Sequence, residues 1–186
     1  WYIHNRIGGI MITIDGGTGI ILHNGVEIAS DKMVDQWRVH TNGSVSQSSS
    51  TTVTNWERVT DVTGMGTLNG GMTESSGIFT FPSTGIYKVE FTPYFNDTED
   101  NNSIRGLIQT TTDNSSYVTV AQNPTSIADA DTYNYGSVYV CALLDITNTS
   151  THKVRFNLYS GDGAFHYNGD QTTNETYATF TRVGAT

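Results

Sequence analysis

The stretch Gly77-Ile78-Phe79-Thr80-Phe81-Pro82-Ser83-Thr84-Gly85-Ile86-Tyr87-Lys88-Val89-Glu90-Phe91 decides how this chain is read. Ile78 to Phe81 is a short apolar extended run, and Pro82 ends it because proline has no N–H to give to a ladder. Ser83, Thr84 and Gly85 are turn formers. Beyond them Tyr87, Val89 and Phe91 alternate with Lys88, Glu90 and Thr92. That period of two belongs to a strand with one face on a core and the other facing out. Two strands joined by a turn follow from these residues.

Working outward, the same pattern recurs. Lys153–Tyr159 points Val154, Phe156 and Leu158 one way, so these three join Phe79, Phe81, Tyr87, Val89 and Phe91 in one predicted core. Ile104–Thr111 and Tyr117–Ala121 read as strands joined through Asp113-Asn114, and Gln122–Gly136 as a long connection. Ser137–Ile146 is apolar on both faces, with Val138, Val140, Ala142 and Leu144 on one and Tyr139, Cys141 and Leu143 on the other. Such a strand is either central in a sandwich or covered by another subunit. Thr176–Val183 closes the chain as a final strand. Upstream, Asp31–His40 is either amphipathic or extended, and the Ser/Thr-rich run 44–54 reads as an exposed loop. Residues 1–30 are Ile-rich extended pieces punctuated by Asp15-Gly16-Gly17 and Asn24-Gly25. Their apolar faces need cover from the main domain or from neighbouring copies. The expected division is a β-rich stalk or docking segment over 1–35 and an all-β antiparallel jelly-roll sandwich over 36–186. Trp at position 1 suggests part of a longer protein.

Composition agrees. Thr, Ser, Asn and Gly make up 79 of 186 residues, only 15% are charged, and helix formers are scarce. The ten Tyr, seven Phe and three Trp supply the area for a packed core. A net charge of −9 argues against nucleic acid, which calls for clustered cations, and against anionic membranes. No apolar run approaches the ~20 residues of a spanning helix. The single Cys141 makes no intrachain disulfide; inside so apolar a strand it reads as a buried structural thiol.

In the opening stretch Gly77, Phe79, Thr80, Pro82, Gly85, Tyr87 and Phe91 resemble the central signature of complement-globular-head and tumour necrosis factor-like jelly rolls. Asp145–Leu158 resembles that family's strand–turn–strand, and Tyr177-Ala178-Thr179-Phe180-Thr181-Arg182 its closing aromatic strand. Leu144-Asp145-Ile146-Thr147-Asn148 departs from the family's usual Leu-x-x-Gly-Asp. The phrases Val34-Asp35-Gln36-Trp37-Arg38 and Asn55-Trp56-Glu57-Arg58-Val59 look like similar domains in fibre and capsid-appendage proteins of tailed phages. The resemblance implies a homotrimer, held to other virion proteins through the N-terminal segment, that presents a receptor-binding tip at the virion surface. The alternatives it leaves are a capsid-decoration protein without a receptor and a non-viral secreted binding module.

No catalytic string is present: no Gly-x-Ser-x-Gly, no His-Glu-x-x-His, no phosphate-binding glycine loop. The five histidines are scattered singly, and the expectation is a non-enzyme without a cofactor. The run Asn96–Asn102 is rich in oxygen ligands of the kind calcium takes, and reads either as a solvated loop or as a calcium site. Receptor contacts are expected among the loop residues Asp97, Asp100, Asp131, Tyr133, Tyr135, Phe165 and Tyr167, because aromatic rings beside amides and carboxylates suit a host-surface glycan or protein. Subunit contacts are expected at Tyr139, Cys141, Leu143, Tyr177 and Phe180.

Overall fold

A computed structural model describes residues 2–7, 10–15, 21–23, 26–29, 32–60, 66–67, 69–97, 101–128 and 134–186, the stretches before residue 32 and Asn102 by backbone alone. In the N-terminal part, β1 (Tyr2–Ile7), β2 (Ile10–Asp15), β3 (Ile21–His23) and β4 (Val26–Ala29) form a four-stranded antiparallel sheet in sequence order. Then come β5 (Val34–Val39), β6 (Gly43–Val45), β7 (Ser49–Thr52), β8 (Trp56–Arg58), β9 (Thr73–Ser75) and β10 (Ile78–Thr80). They are followed by β11 (Gly85–Thr92), β12 (Tyr94–Asp97), β13 (Asn101–Thr111), β14 (Val118–Ile127) and β15 (Asn134–Ser137). The last four are β16 (Val140–Ile146), β17 (Lys153–Ser160), β18 (Phe165–Tyr167) and β19 (Tyr177–Gly184). The described residues hold no helix.

Two sheets make the sandwich. One is ordered β16-β11-β19-β5-β8, and the other β14-β13-β17-β10-β9 with β7 beside the rest of the β17 edge. Past Pro93 the first sheet continues as β15-β12-β18-β6. Alternation of buried and outward residues runs unbroken from Gly85 to Asp97, so the extension keeps the faces of the sheet it prolongs. The domain is an all-β, TNF-like jelly roll.

Between the sheets lies an aromatic core. Phe79 meets Trp37, Trp56, Phe156 and Phe180 at centroid distances of 5.0–5.5 Å, and Phe91 stacks on Phe156 at 4.8 Å. All eight residues predicted for the core are buried. The turn of the opening stretch is locked locally. Gly77 has φ +83°, and a Cβ there would come within 2.7 Å of the Val53 carbonyl, so only glycine fits. The Tyr87 hydroxyl donates to the Ser83 carbonyl at 2.9 Å, tying the new strand to its turn.

Asp35, like Arg38, is a fully buried charge. Asp35 accepts from the Met72 amide at 2.7 Å, from Trp37 Nε1 at 2.9 Å and from Arg58 Nε at 3.1 Å, and the Arg58 guanidinium covers the Trp37 ring at 4.7 Å. A buried carboxylate is tolerated only with such a set of donors.

Several sequence expectations change. Within Asp31–His40, Val34–Val39 is the extended β5, and Asp31 lies outside the described residues. The run 44–54 is not a loop: β6 and β7 lie in it, with Val45 and Val53 buried. The connection expected over Gln122–Gly136 is shortened, because β14 continues to Ile127 and β15 begins at Asn134. Nor is β16 central; it is an edge strand, and its second apolar face is open as well, with Leu143 68% exposed. Cys141 lies on that face and is exposed, not buried. Met33 packs in the jelly-roll core and β5 starts at Val34.

Candidate functional site

The sheet extension brings four outward side chains into one row. Register sets Asn96 of β12 opposite Tyr135 of β15 on one side and His166 of β18 on the other, and His166 opposite Ser44 of β6. With strands ~4.8 Å apart the row is about 14 Å long. Tyr135 is 59% exposed, and one face of its ring rests on Tyr94, 5.7 Å between centroids at 18°. The Asn96 amide donates to Asn168 Oδ1 at 2.7 Å, and Asn42 Oδ1 accepts from the Gly169 amide at 2.8 Å, so both amides are held in place. An open cleft of about 380 Å³ lies among Asn42, Asn96, Tyr135 and His166. Burial, then the Tyr135 and Glu175 charges, raise the pKa of the Tyr94 phenol. A stacked ring pair flanked by fixed amides, an imidazole and a hydroxyl can stack on a sugar and pair with its hydroxyls.

A second cleft, about 310 Å³, lies at the other end of the sheet beside Met33, Asn69, Pro82 and Ser83. Among the described residues its lining has neither an aromatic ring nor a charged group, and so offers less to a polar ligand.

The expected receptor residues divide. Tyr135 stands in the row. Asp100, Asp131 and Tyr133 lie outside the described residues. Phe165 and Tyr167 need correction as loop aromatics: they are strand residues facing inward, 1% and 3% exposed, and Phe165 packs edge-on against Phe95. Asp97 shares the inward parity of Phe95 and is buried too. Sequence reading missed Asn42, Ser44, Asn96 and His166 as a group. The usable signal was parity, since His166 sits between two inward aromatics and must point out. For the calcium reading, Asn101 is buried and spends its amide on Ser160 Oγ and the Gly163 carbonyl. Among the described residues no three His, Cys, Asp or Glu side chains converge.

The expected subunit contacts divide as well. Tyr139 and Leu143 are 51% and 68% exposed, with Cys141 between them, on the outward face of β16. Tyr177 is half-buried on the same side of the sheet, opposite Thr92. Phe180 is corrected: it is fully buried in the core, because an odd separation from Tyr177 puts it on the other face. Lys88 Nζ donates to Glu90 Oε1 at 2.7 Å and the Tyr139 hydroxyl to the same oxygen at 2.5 Å. Loss of that bond on ionisation raises the pKa of Tyr139.

This geometry defines the class: a tumour necrosis factor-like jelly roll with an uncovered apolar patch on one sheet and a polar-aromatic row at its end. Solved structures bear this out at the level of fold. Murine APRIL at pH 5.0 is similar with a TM-score of 0.57 at 15% identity, over 82% of this chain and 99% of that one. Eiger TNF from S. frugiperda is similar with a TM-score of 0.59 at 12% identity, over 84% of this chain and 96% of that one. No family model matches the chain, and no curated protein sequence matches it.

Proposed function

We propose that this domain is the tip of a tailed-phage fibre or capsid appendage, assembled as a homotrimer and binding host-surface carbohydrate through the Tyr135–Asn96–His166–Ser44 row. The row itself carries the reading. It combines an exposed ring with hydrogen-bonding groups fixed by the fold, at the end of the sheet away from Val34, where the chain enters the domain. A trimer supports it, since Tyr139, Cys141 and Leu143 leave apolar area open that a second copy would cover. Three weak sites on one rigid tip gain adhesion by avidity. The N-terminal segment would join other virion proteins, at the virion surface.

The test is binding of the full chain to host cells and to their purified surface polysaccharide, for the wild type and for Tyr135→Ala and His166→Ala. Loss of binding with the trimer intact supports the reading. Loss of the trimer in Tyr135→Ala places the row at the subunit contact instead. A wild-type trimer that binds no host surface favours a decoration protein.

A further inference from the structure

The outward face of the β14-β13-β17-β10-β9 sheet reverses the charge of the molecule. Register sets Arg105 of β13 opposite Tyr159 of β17, and Gln109 opposite Arg155. The Arg105 guanidinium lies over the Tyr159 ring at 5.3 Å, and that of Arg155 over Tyr117 at 4.1 Å. Arg155 Nε also donates to Gln109 Oε1 at 2.8 Å. Between them sits Leu107, opposite Asn157; it is only 8% exposed yet stands apart from the main core, which places it on this outer face.

The chain has twice as many acidic as basic residues, 18 against 9. Elsewhere Arg38, Arg58 and Lys88 each meet a carboxylate. Neither Arg105 nor Arg155 meets one among the described residues. Asp113, near the far end of β13, is occupied by its own turn, accepting from the Ser115 and Ser116 amides and from Thr111 Oγ1.

We propose that this face binds an acidic polysaccharide whose carboxylates meet Arg105 and Arg155. A guanidinium is the donor that grips a carboxylate through two parallel bonds. Stacking on tyrosine holds each fork in place beforehand, so less freedom is lost on binding. The two cation sites are four residues apart along β17, about 14 Å, which selects a short oligosaccharide over a single sugar. Gln122 borders the same rows and offers its amide to sugar hydroxyls, while the buried Asn157 amide is bonded to Ser50 Oγ at 3.1 Å and to Thr52 Oγ1 at 3.2 Å and fixes the strands beneath. Negative charge over the rest of the chain turns a polyanion toward this face alone. This sheet is not the one bearing Tyr139 and Leu143, so the site stays open in the proposed trimer and is separate from the Tyr135 row.

The experiment is calorimetric titration of the full chain with polygalacturonate at low and at raised salt. The wild type binds, and raised salt weakens it. Arg105→Ala with Arg155→Ala lowers affinity at least about tenfold, as loss of charge-assisted bonds requires. Arg105→Lys keeps the charge and loses the fork, so it falls between the two. Lys32→Ala, which removes an exposed cation outside this sheet, leaves this titration unchanged. No binding to polygalacturonate, undiminished binding by a double variant whose melting curve is that of the wild type, or equal binding of polyglutamate each overturns the proposal.

Discussion

The two faces of the β11–β16 pair are made from the same two strands and have opposite fates. Inside, Tyr87 faces Leu144, Val89 faces Ala142 and Phe91 faces Val140, and the opposite sheet covers all six. Outside, Lys88 faces Leu143 and Glu90 faces Cys141, with Tyr139 reaching Glu90. Leu143 stays 68% exposed. The contrast teaches that apolar character along a strand has two separate fates here, one face satisfied by folding and the other left exposed, where the proposed trimer would cover it.

The largest expected effect tests the inner face. Phe91→Ala removes a ring that stacks on Phe156 and touches Trp56. It should cost about 3–5 kcal/mol in urea unfolding, from lost burial plus a cavity. Lys88→Ala, its neighbour on the outer face, should leave the midpoint nearly unmoved. Equal losses in the two would break the comparison.

Next comes Asp35→Ala, at the far side of the same sheet. It leaves Trp37 Nε1, the Met72 amide and Arg58 without their acceptor. About 2–3 kcal/mol should be lost, less than for a fully buried pair because Arg58 is a third exposed. Retention of wild-type stability would show that the donors find other partners.

Leu143→Asp sharpens the outer side. Stability of the folded chain should change by less than about 0.5 kcal/mol, as for a surface site. Light scattering should show the trimer replaced by a 20.3 kDa monomer. A wild type that is itself monomeric at micromolar concentration would remove the assembly reading.

The smallest effect is a pH dependence on the outer face. Burial raises the pKa of Glu90, but the hydrogen bonds from Lys88 and Tyr139, with the Lys88 charge, outweigh it, so the net direction is down. A depressed carboxylate stabilises fully above its unfolded value near ~4.3, and that contribution fades as pH falls through the folded value. Acidification to below pH ~4 should therefore cost the wild type slightly more than Glu90→Gln, as the difference between their melting temperatures. An identical acid response in both would show that the Lys88–Glu90–Tyr139 set contributes nothing.

The amino-acid sequence by itself determined the class of fold and most of the core. Turn residues at Ser83–Gly85 and strict alternation over Tyr87–Phe91 act within a few residues, and a period of two assigns faces before any partner strand is known. It also carried information that parity would have released: Phe165 and Tyr167 share one face, His166 takes the other, and Phe180 cannot share a face with Tyr177. Only the tertiary structure decided which distant strands lie side by side. Asn96 comes to stand between Tyr135 and His166, and Arg105 over Tyr159, because register is set by how whole sheets pack and close, and no local pattern records it. The same holds for the open side of β16. Whether an apolar strand ends up central or at an edge depends on its position in the sheet, which is a property of the whole sandwich.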